Sequence, residues 1–222
     1  MMKKLNKKMN ILTTLLFILF MSVSIIYADD SGTTAFQFLK MDVSARAISM
    51  GGAFTAVADD VSAVRYNPAG IRLLLHPQLA ATHMEWLADL KGEYLVFAKP
   101  LKNGAAMGAS IFYMGSYNDW EGRDQYGNKT GDIGYEQGYA SFCYAKRMDR
   151  YDNYMAGINV KYVYESLDYK RDSAIAFDVG MLGRLYRKVL IGASIRNIGI
   201  GSERFPIETR LGLSYLYKSL GL

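Results

Sequence analysis

The sequence predicts an all-β protein, an antiparallel transmembrane β-barrel of about eight strands, on three observations. Apolar residues alternate with polar or small residues in several long segments, which is the periodicity of a strand and not of a helix. Several of these segments reach about ten residues, more than globular strands usually have and enough for a tilted strand to cross a bilayer. The chain has 17 tyrosines, and many lie near segment ends, as aromatic residues do at a membrane interface. Beyond residue 28 no apolar run is long enough for a membrane helix.

Residues 1–28 have the pattern of a secretory signal peptide. The basic stretch MMKKLNKKMN precedes a long uncharged apolar run, and Ala28 offers a small residue for cleavage. The alternative is an uncleaved membrane anchor, but the run is shorter than the roughly 20 residues that a spanning helix needs. Cleavage would remove four lysines and no acid, so the net charge would fall from +5 to about +1. That balance argues against nucleic acid as a partner.

Residues 29–76 lack the strand alternation and are expected to form a separate N-terminal segment. A small-residue stretch, Met50 to Ala53, lies near its middle. Val61 to Tyr66 would form a short helix with Asp60 as its N-cap. The turn sequence from Asn67 to Gly70 would end that helix, because the residue before a proline is disfavoured in the helical conformation.

Residues 77–222 are predicted to supply the strands of the barrel. The eight candidate strands are residues 78–86, 93–100, 105–113, 135–147, 154–164, 174–185, 188–196 and 207–218. In the fifth of these, Ile158 and Val160 share one face with tyrosines, whereas Asn159 and Lys161 share the other. We expect lipid against the apolar face and a wet interior against the other, because a dry core would not tolerate the charges. The charges expected to face the interior are Lys161, Asp178, Arg196 and Arg210.

The connections between the predicted strands alternate in length. Short turns are predicted at residues 100–104, 148–151 and 184–188. Longer connections are predicted at residues 116–133, 167–172 and 199–206. Outer-membrane barrels have short periplasmic turns and longer extracellular loops, so the short turns would face the periplasm and the long loops the outside.

The N-terminal segment also carries a resemblance to a known family. Its run ARAISMGGAFTAVADDVSAVRYNPAGI resembles the opening of the PorV/PorQ outer membrane proteins, distant relatives of the FadL-type transporters. The later runs AFDVGMLGRL, LIGASIRNIG and TRLGLSYLYK are similar to strands of that family, so the resemblance covers most of residues 33–217. It implies that residues 29–76 fold into the barrel lumen as a hatch. The residues it places in the hatch are Arg46, Gly51, Gly52, Asp59, Asp60, Asn67, Pro68 and Gly70.

The resemblance also implies what the protein does. FadL relatives pass hydrophobic compounds through the outer membrane, which would require an apolar cavity beside the hatch. PorV relatives serve the type IX secretion system and accept protein cargo, which would require large external loops and a docking partner. Both functions are non-enzymatic and need no cofactor. The expected partners are outer membrane lipids of a Gram-negative-type bacterium and either a hydrophobic small molecule or secreted cargo.

Two further expectations concern the inside of the barrel. Asp59 and Asp60 are predicted to pair with Arg196 or Arg210, because the hatch and the lumen-facing charges would meet there. An eight-stranded barrel has room only for side chains, so it would not also hold the hatch. We therefore expect this chain to form an open partial barrel that is incomplete at its C-terminus.

Glycines recur in the predicted strands, and two explanations stay open for them. They are Gly104, Gly108, Gly134, Gly138, Gly157, Gly180, Gly192 and Gly212. One explanation is tight curvature with room for the hatch, and the other is a kink that opens the barrel wall for ligand exit.

Other chemistry-bearing residues do not form a convincing constellation. His76 and His83 fall on opposite faces by position, so they do not predict a metal site. The acids from Asp119 to Asp124 do not have the spacing of a calcium-binding loop. Cys143 is the single cysteine and lies in a strand pattern, where a small half-buried residue is expected.

Overall fold

The computed structural model describes residues 34–116, 120–149, 153–168, 170–186, 189–201 and 203–215. The predicted signal peptide, residues 1–28, lies outside these ranges. Within them, no helix is both long enough and apolar enough to span a membrane.

Ten β-strands account for most of the described chain. They are β1 (Gln78–Glu85), β2 (Leu90–Leu101), β3 (Ala105–Ser116), β4 (Trp120–Arg123), β5 (Lys129–Ile133), β6 (Tyr135–Arg147), β7 (Tyr154–Leu167), β8 (Lys170–Tyr186), β9 (Val189–Ile200) and β10 (Glu208–Tyr215). Eight of them form one antiparallel sheet in the order β1-β2-β3-β6-β7-β8-β9-β10. Each strand of this sheet therefore lies beside its neighbour in sequence, apart from the insertion of β4 and β5. The predicted eight strands and their antiparallel arrangement are confirmed.

β1 and β10 are the two edges of the main sheet. In the part of the chain that the structure describes, these two edges do not pair with each other, so a closed ring of strands is not observed. The structure thus establishes the antiparallel sheet, and the barrel remains a prediction.

The connection predicted as a long polar loop, residues 116–133, contains a small hairpin. Its strands β4 and β5 pair with each other and lie outside the main sheet. The carboxylate of Asp124 accepts hydrogen bonds from the backbone N–H groups of Tyr126 and Asn128, which closes the turn. Local turn chemistry of this kind produces a hairpin in a stretch that has no apolar alternation.

The main sheet has an apolar face that is exposed. Ile158, Val179 and Leu213 lie on it, and 44%, 42% and 67% of their surfaces are accessible. Other large apolar residues on this face are Leu95, Phe97, Ile111, Tyr113, Phe142, Tyr144, Tyr154, Val160, Tyr162, Ile175, Met181, Ile191, Ile195, Leu211 and Tyr215. The alternation predicted from the sequence is therefore confirmed in the described residues of β3, β7, β8, β9 and β10.

The opposite face of the sheet is buried, although it is rich in polar and small residues. Lys161, Asp178 and Arg196 are fully buried there. Residues 35–74, which we call the N-terminal segment, cover this face and share a single core with it. Large apolar residues of the inner face, such as Phe112, Met114 and Val163, are buried in the same core. The sheet thus differs from the usual one-sided antiparallel sheet, because its outer face is apolar as well and its buried charges lie on the inner face.

The N-terminal segment contains only short helices. They are α1 (Ala45–Ser49), α2 (Ala63–Tyr66) and two 3₁₀ helices (Gln37–Lys40 and Pro68–Leu73). Two further 3₁₀ turns, Leu87–Asp89 and Lys102–Gly104, connect strands.

Helix α2 begins later than its sequence predicts. The expected start is Val61, but Asp60 first holds a turn, because its carboxylate accepts from the N–H of Ser62 and its carbonyl from the N–H of Ala63. Asn67 then ends the helix in an extended conformation, as predicted.

A row of aromatic rings joins the segment to the sheet. Phe38 of the segment stacks on Phe112 of β3 with 5.9 Å between ring centroids, and Phe112 stacks in turn on Tyr139 of β6 at 5.5 Å. Phe36 lies edge-on to Phe38 at 6.5 Å. Aromatic burial of this size contributes strongly to packing, so the segment is an integral layer of the protein.

Candidate functional site

A cluster of buried polar side chains lies where the N-terminal segment meets the inner face of the sheet. Lys161 Nζ lies 2.7 Å from Asp178 Oδ1 and donates to Asn197 Oδ1 at 2.6 Å. Asn159 Nδ2 donates to the other oxygen of Asp178 at 3.0 Å. We call these four residues, together with Arg196, the polar cluster. Buried charges are tolerated when they are paired and hydrogen-bonded in this way.

A β-bulge brings both Arg196 and Asn197 to the inner face. The register between β8 and β9 shifts around Asp178, so two residues of β9 lie opposite one residue of β8. Asn197 adopts a left-handed conformation with φ 60°, which asparagine tolerates better than most residues, and its N–H donates to Asp178 Oδ1 at 2.8 Å. Strict alternation places Asn197 on the outer face, so sequence reasoning did not find it.

The polar cluster binds the main chain of the N-terminal segment. Asn159 Nδ2 donates to the carbonyl of Val64 at 3.2 Å, and Asn197 Nδ2 donates to that of Leu39 at 3.4 Å. Arg196 Nη1 donates to the carbonyl of Arg65 at 3.2 Å. Short helices leave their last carbonyls without partners inside the helix, and these side chains supply the missing donors.

The predicted pairing of Asp59 and Asp60 with Arg196 or Arg210 is wrong. Both carboxylates pair with Arg46 instead, at 2.6 and 2.5 Å from Nη1. Arg46 lies in the same segment, on α1, and therefore reaches them without crossing to the sheet.

Glu208 is the acid that pairs with Arg196 and Arg210 of the sheet. Its carboxylate pairs with Arg196 through one oxygen and with Arg210 at 3.1 Å through the other. Glu208 was not predicted from the sequence, although it lies two residues from Arg210 and therefore on the same face of β10.

The ion pairs of Arg46 keep its charge fixed. Hydrogen bonds with Asp59 and then Asp60 raise the pKa of Arg46 above its ordinary value. The guanidinium also lies 5.4 Å from the centroid of the Phe54 ring. These contacts hold α1 against the loop before α2.

Arg65 is a further buried charge that sequence reasoning did not single out. It is almost fully buried on α2 and donates through Nη2 to the carbonyls of Leu39 and Met41, the latter at 3.2 Å. An arginine between apolar neighbours in Val64–Tyr66 was the available signal.

The turn at Asn67 and Pro68 packs in close contact with the main sheet. Asn67 Nδ2 donates to the carbonyl of Thr55 at 2.7 Å and to that of Met181 on β8 at 3.2 Å. A Cβ atom on Gly180 would lie 2.0 Å from Asn67 Oδ1, and one on Gly157 would lie 2.4 Å from the carbonyl carbon of Pro68. These glycines are therefore required for the close approach of the segment.

The structure distinguishes between the two explanations for the strand glycines. The space beside five of them is filled by the N-terminal segment: Gly108, Gly157, Gly180, Gly192 and Gly212. At Gly104 the backbone has φ 69° in a turn, and at Gly138 the nearest atom belongs to the adjacent strand. Most of these glycines are thus explained by the space that the N-terminal segment occupies beside them.

The three glycines predicted for the hatch have local roles in the N-terminal segment. Gly51 and Gly52 have φ values of 61° and 77° and end α1, where their N–H groups donate to the carbonyls of Ile48 and Ala47. A Cβ on Gly70 would lie 2.1 Å from the carbonyl oxygen of Ala58.

A groove of about 590 Å³ separates the N-terminal segment from β1 and β2. Its lining is part apolar and part polar, with Val43 and Val61 on one side, Val96 on the other and the charged pair Arg46 and Asp60 at its edge. Its lining residues are Val43, Ser44, Ala45, Arg46, Asp60, Val61, Ser62, Pro77, Gln78, Leu79, Ala80, Thr82, Tyr94 and Val96. Its volume lies within the range of small-molecule sites, about 300–1,000 Å³.

The fold and this interface define a class of antiparallel β-protein whose polar inner face holds the chain's own N-terminal segment. The chain belongs to the Uncharacterised protein family (UPF0164), whose family model matches residues 22–180. No curated protein matches the chain.

Proposed function

We propose that this protein is an outer membrane β-barrel protein of the PorV/PorQ type, FadL-like, which passes hydrophobic compounds across the outer membrane of a Gram-negative-type bacterium. The observation that carries the proposal is the extensive apolar outer face of the main sheet, which is exposed, while Lys161, Asp178 and Arg196 are buried on the inner face.

The energetics of the two faces support a lipid environment. Leaving one large apolar side chain in water forgoes about 1.5–3 kcal/mol relative to burying it, and the exposed face carries many such side chains. Contact with acyl chains would remove that cost. Tyr144, Tyr154 and Tyr215 lie toward one end of the face, and Tyr113 lies toward the other, which agrees with two interfacial girdles.

The N-terminal segment has the properties of a luminal hatch. Irregular backbone is tolerated at membrane depth only where it is enclosed by protein or lines a wet cavity. The polar cluster and the glycines of β7 and β8 supply that enclosure for residues 35–74.

The groove beside β1 favours passage of small hydrophobic compounds over acceptance of protein cargo. Its volume suits a small molecule, and Val43, Val61 and Val96 give it apolar surface between the segment and the strands, beside polar groups. Secretion of cargo by a type IX system is the alternative function, and it would not need this groove.

Blocking the groove tests the proposed function. Ala80 lies on β1 and lines the groove, whereas its neighbour Ala81 is exposed on the outer face. Ala80→Trp should fill the groove and reduce uptake of radiolabelled oleate by cells that produce the protein, and Ala81→Trp should leave uptake unchanged. Both variants should fractionate with the outer membrane and show heat-modifiable migration in detergent gels.

Two results would count against the proposal. A periplasmic, non-heat-modifiable protein would contradict the membrane placement. Equal uptake by the two tryptophan variants and by cells without the protein would contradict transport, and binding of secreted protein by the same cells would then favour the cargo role.

A further inference from the structure

We propose that the N-terminal segment is threaded through the protein in one direction, so that its amino-terminal end is accessible from outside the cell. This inference rests on the proposed membrane placement. It places the residues around Phe36 on the external side of the membrane.

The two ends of the main sheet differ in their connections. The β4–β5 hairpin and the stretch before β10 lie at one end, which we call the long-loop end. Two shorter connections also lie there: the 3₁₀ turn Leu87–Asp89 and the turn between β7 and β8. The prediction of a longer connection at residues 167–172 is wrong, because β7 continues to Leu167 and β8 begins at Lys170. The 3₁₀ turn Lys102–Gly104 and the connection between β6 and β7 lie at the other, which we call the short-turn end. In outer-membrane barrels the short turns face the periplasm.

The amino-terminal end of the segment is attached at the long-loop end. The N–H of Ala35 donates to the carbonyl of Arg204 at 2.9 Å, and the N–H of Phe36 donates to Glu165 Oε2 at 3.0 Å. The rings of Phe36 and Phe205 lie 5.2 Å apart between centroids. Glu165 is near the end of β7, which closes at Leu167.

The contacts with β7 show how far the N-terminal segment extends from the long-loop end toward the short-turn end. Phe36 contacts Glu165, the carbonyl of Val64 contacts Asn159, and the main chain at Pro68 lies against Gly157. From Glu165 to Gly157 the strand advances eight residues, or about 26 Å at roughly 3.3 Å per residue. A tilted transmembrane strand crosses a bilayer in about 9–11 residues, so the segment extends over most of the membrane-spanning length of β7.

The carboxyl-terminal end of the segment leaves at the short-turn end. Val61 donates through its N–H to Gln78 Oε1 at 2.9 Å, and Gln78 is the first residue of β1. β1 then runs toward the long-loop end, where Glu85 pairs with Lys91. With the short turns in the periplasm, the amino-terminal end of the segment therefore faces outward.

Cysteine labelling of the full-length protein tests this direction. Single cysteines at Gln37, Tyr126 and Lys102, in a Cys143→Ala background, place one probe in the segment, one in the β4–β5 hairpin and one in a short turn. All three positions are exposed. A membrane-impermeant maleimide should label Gln37→Cys and Tyr126→Cys on intact cells, and Lys102→Cys only after lysis. Lys40→Cys, also exposed, provides a second position in the segment.

The outcomes separate this inference from the proposed function. If Tyr126→Cys and Lys102→Cys lie on opposite sides but both segment cysteines label together with Lys102→Cys, or label on neither side, the threading direction is overturned. If Tyr126→Cys and Lys102→Cys label equally on intact cells, the membrane placement itself fails, and the inference fails with it.

Discussion

At the scale of single residues, Asp178 organises the inner face. It contacts Lys161, the side chain of Asn159 and the backbone of Asn197 from one fully buried position. One carboxylate thereby joins β7, β8 and β9 beneath the N-terminal segment. Removing this carboxylate would leave several buried hydrogen-bond donors without their acceptor.

A double-mutant cycle measures this dependence. Asp178→Leu leaves Lys161 as an unpaired buried charge and should lower the free energy of unfolding by about 3–5 kcal/mol. Lys161→Met added to Asp178→Leu should recover part of that loss, because the unpaired charge is gone. Urea unfolding of the protein in lipid vesicles gives the four values.

An exposed ion pair provides the matched control for the cycle. Lys170 and Asp172 lie 3.1 Å apart near the start of β8, and solvent screens such pairs. Lys170→Met and Asp172→Leu should change stability little. Strict additivity for Asp178 and Lys161 would contradict the role of the buried pair.

Gly180 provides a second residue-scale prediction. In Gly180→Ala the new methyl group would overlap Asn67 Oδ1, so the turn at Pro68 must shift, at a cost of about 1–3 kcal/mol. Gly183→Ala on the same strand meets only side-chain atoms of Ile191 and Tyr154, at 3.2 Å or more, and should be milder. The urea midpoints of the two variants give the comparison, and equal midpoints would contradict the close approach.

The sequence predicted some of these residues and not others. Parity within a strand was enough to place Lys161, Asp178 and Arg196 on the inner face. Asn197 was not predicted, because a β-bulge interrupts the alternation of the two faces at this point. No local sequence pattern indicates that bulge. The partner of Asp59 and Asp60 was assigned wrongly, because pairing depends on the path of an irregular segment that alternation does not describe.

At the scale of elements, the long strands present an exposed apolar face, and the opposite face of β7, β8 and β9 carries buried polar and charged residues. Ile158 on β7 and Val179 on β8 are direct neighbours on the exposed face. Their side chains have no protein layer above them in the described chain, so their surroundings decide the stability of the strands.

Lysine substitution on this face is the element-scale prediction. Ile158→Lys or Leu213→Lys should reduce the stability in lipid vesicles by about 2–4 kcal/mol if the position is near the bilayer midplane, and should lower the yield of the heat-modifiable form. Tyr126→Lys, in the exposed turn between β4 and β5, is the control and should assemble normally. Normal assembly of Ile158→Lys would contradict lipid contact.

Strand positions were predictable because a period of two persists over many residues, whereas strand ends and the β4–β5 hairpin were not. β8 extends from Lys170 to Tyr186, beyond its predicted start at residue 174, because polar residues continue the ladder past the apolar pattern. The hairpin depends on turn chemistry at Asp124, which alternation does not reveal.

At the scale of the whole molecule, the sheet and the N-terminal segment are complementary. Glycines of the sheet lie where the main chain of the segment comes closest to it. The polar cluster donates hydrogen bonds to carbonyls of the segment. The sequence resemblance implied a hatch, but only the three-dimensional contacts identify which strands hold it. The same contacts leave the groove beside β1 as an open space between the two parts.

The bonds that anchor the segment join residues far apart along the chain: 95 positions separate Val64 from Asn159, and 158 separate Leu39 from Asn197. The helices of the N-terminal segment are too short to persist alone, so they gain their partners only when the last strands have formed. Ordering by such distant contacts is slow. Until β9 has paired, the incompletely folded chain leaves apolar surface and unpaired strand edges exposed, which makes it prone to aggregate.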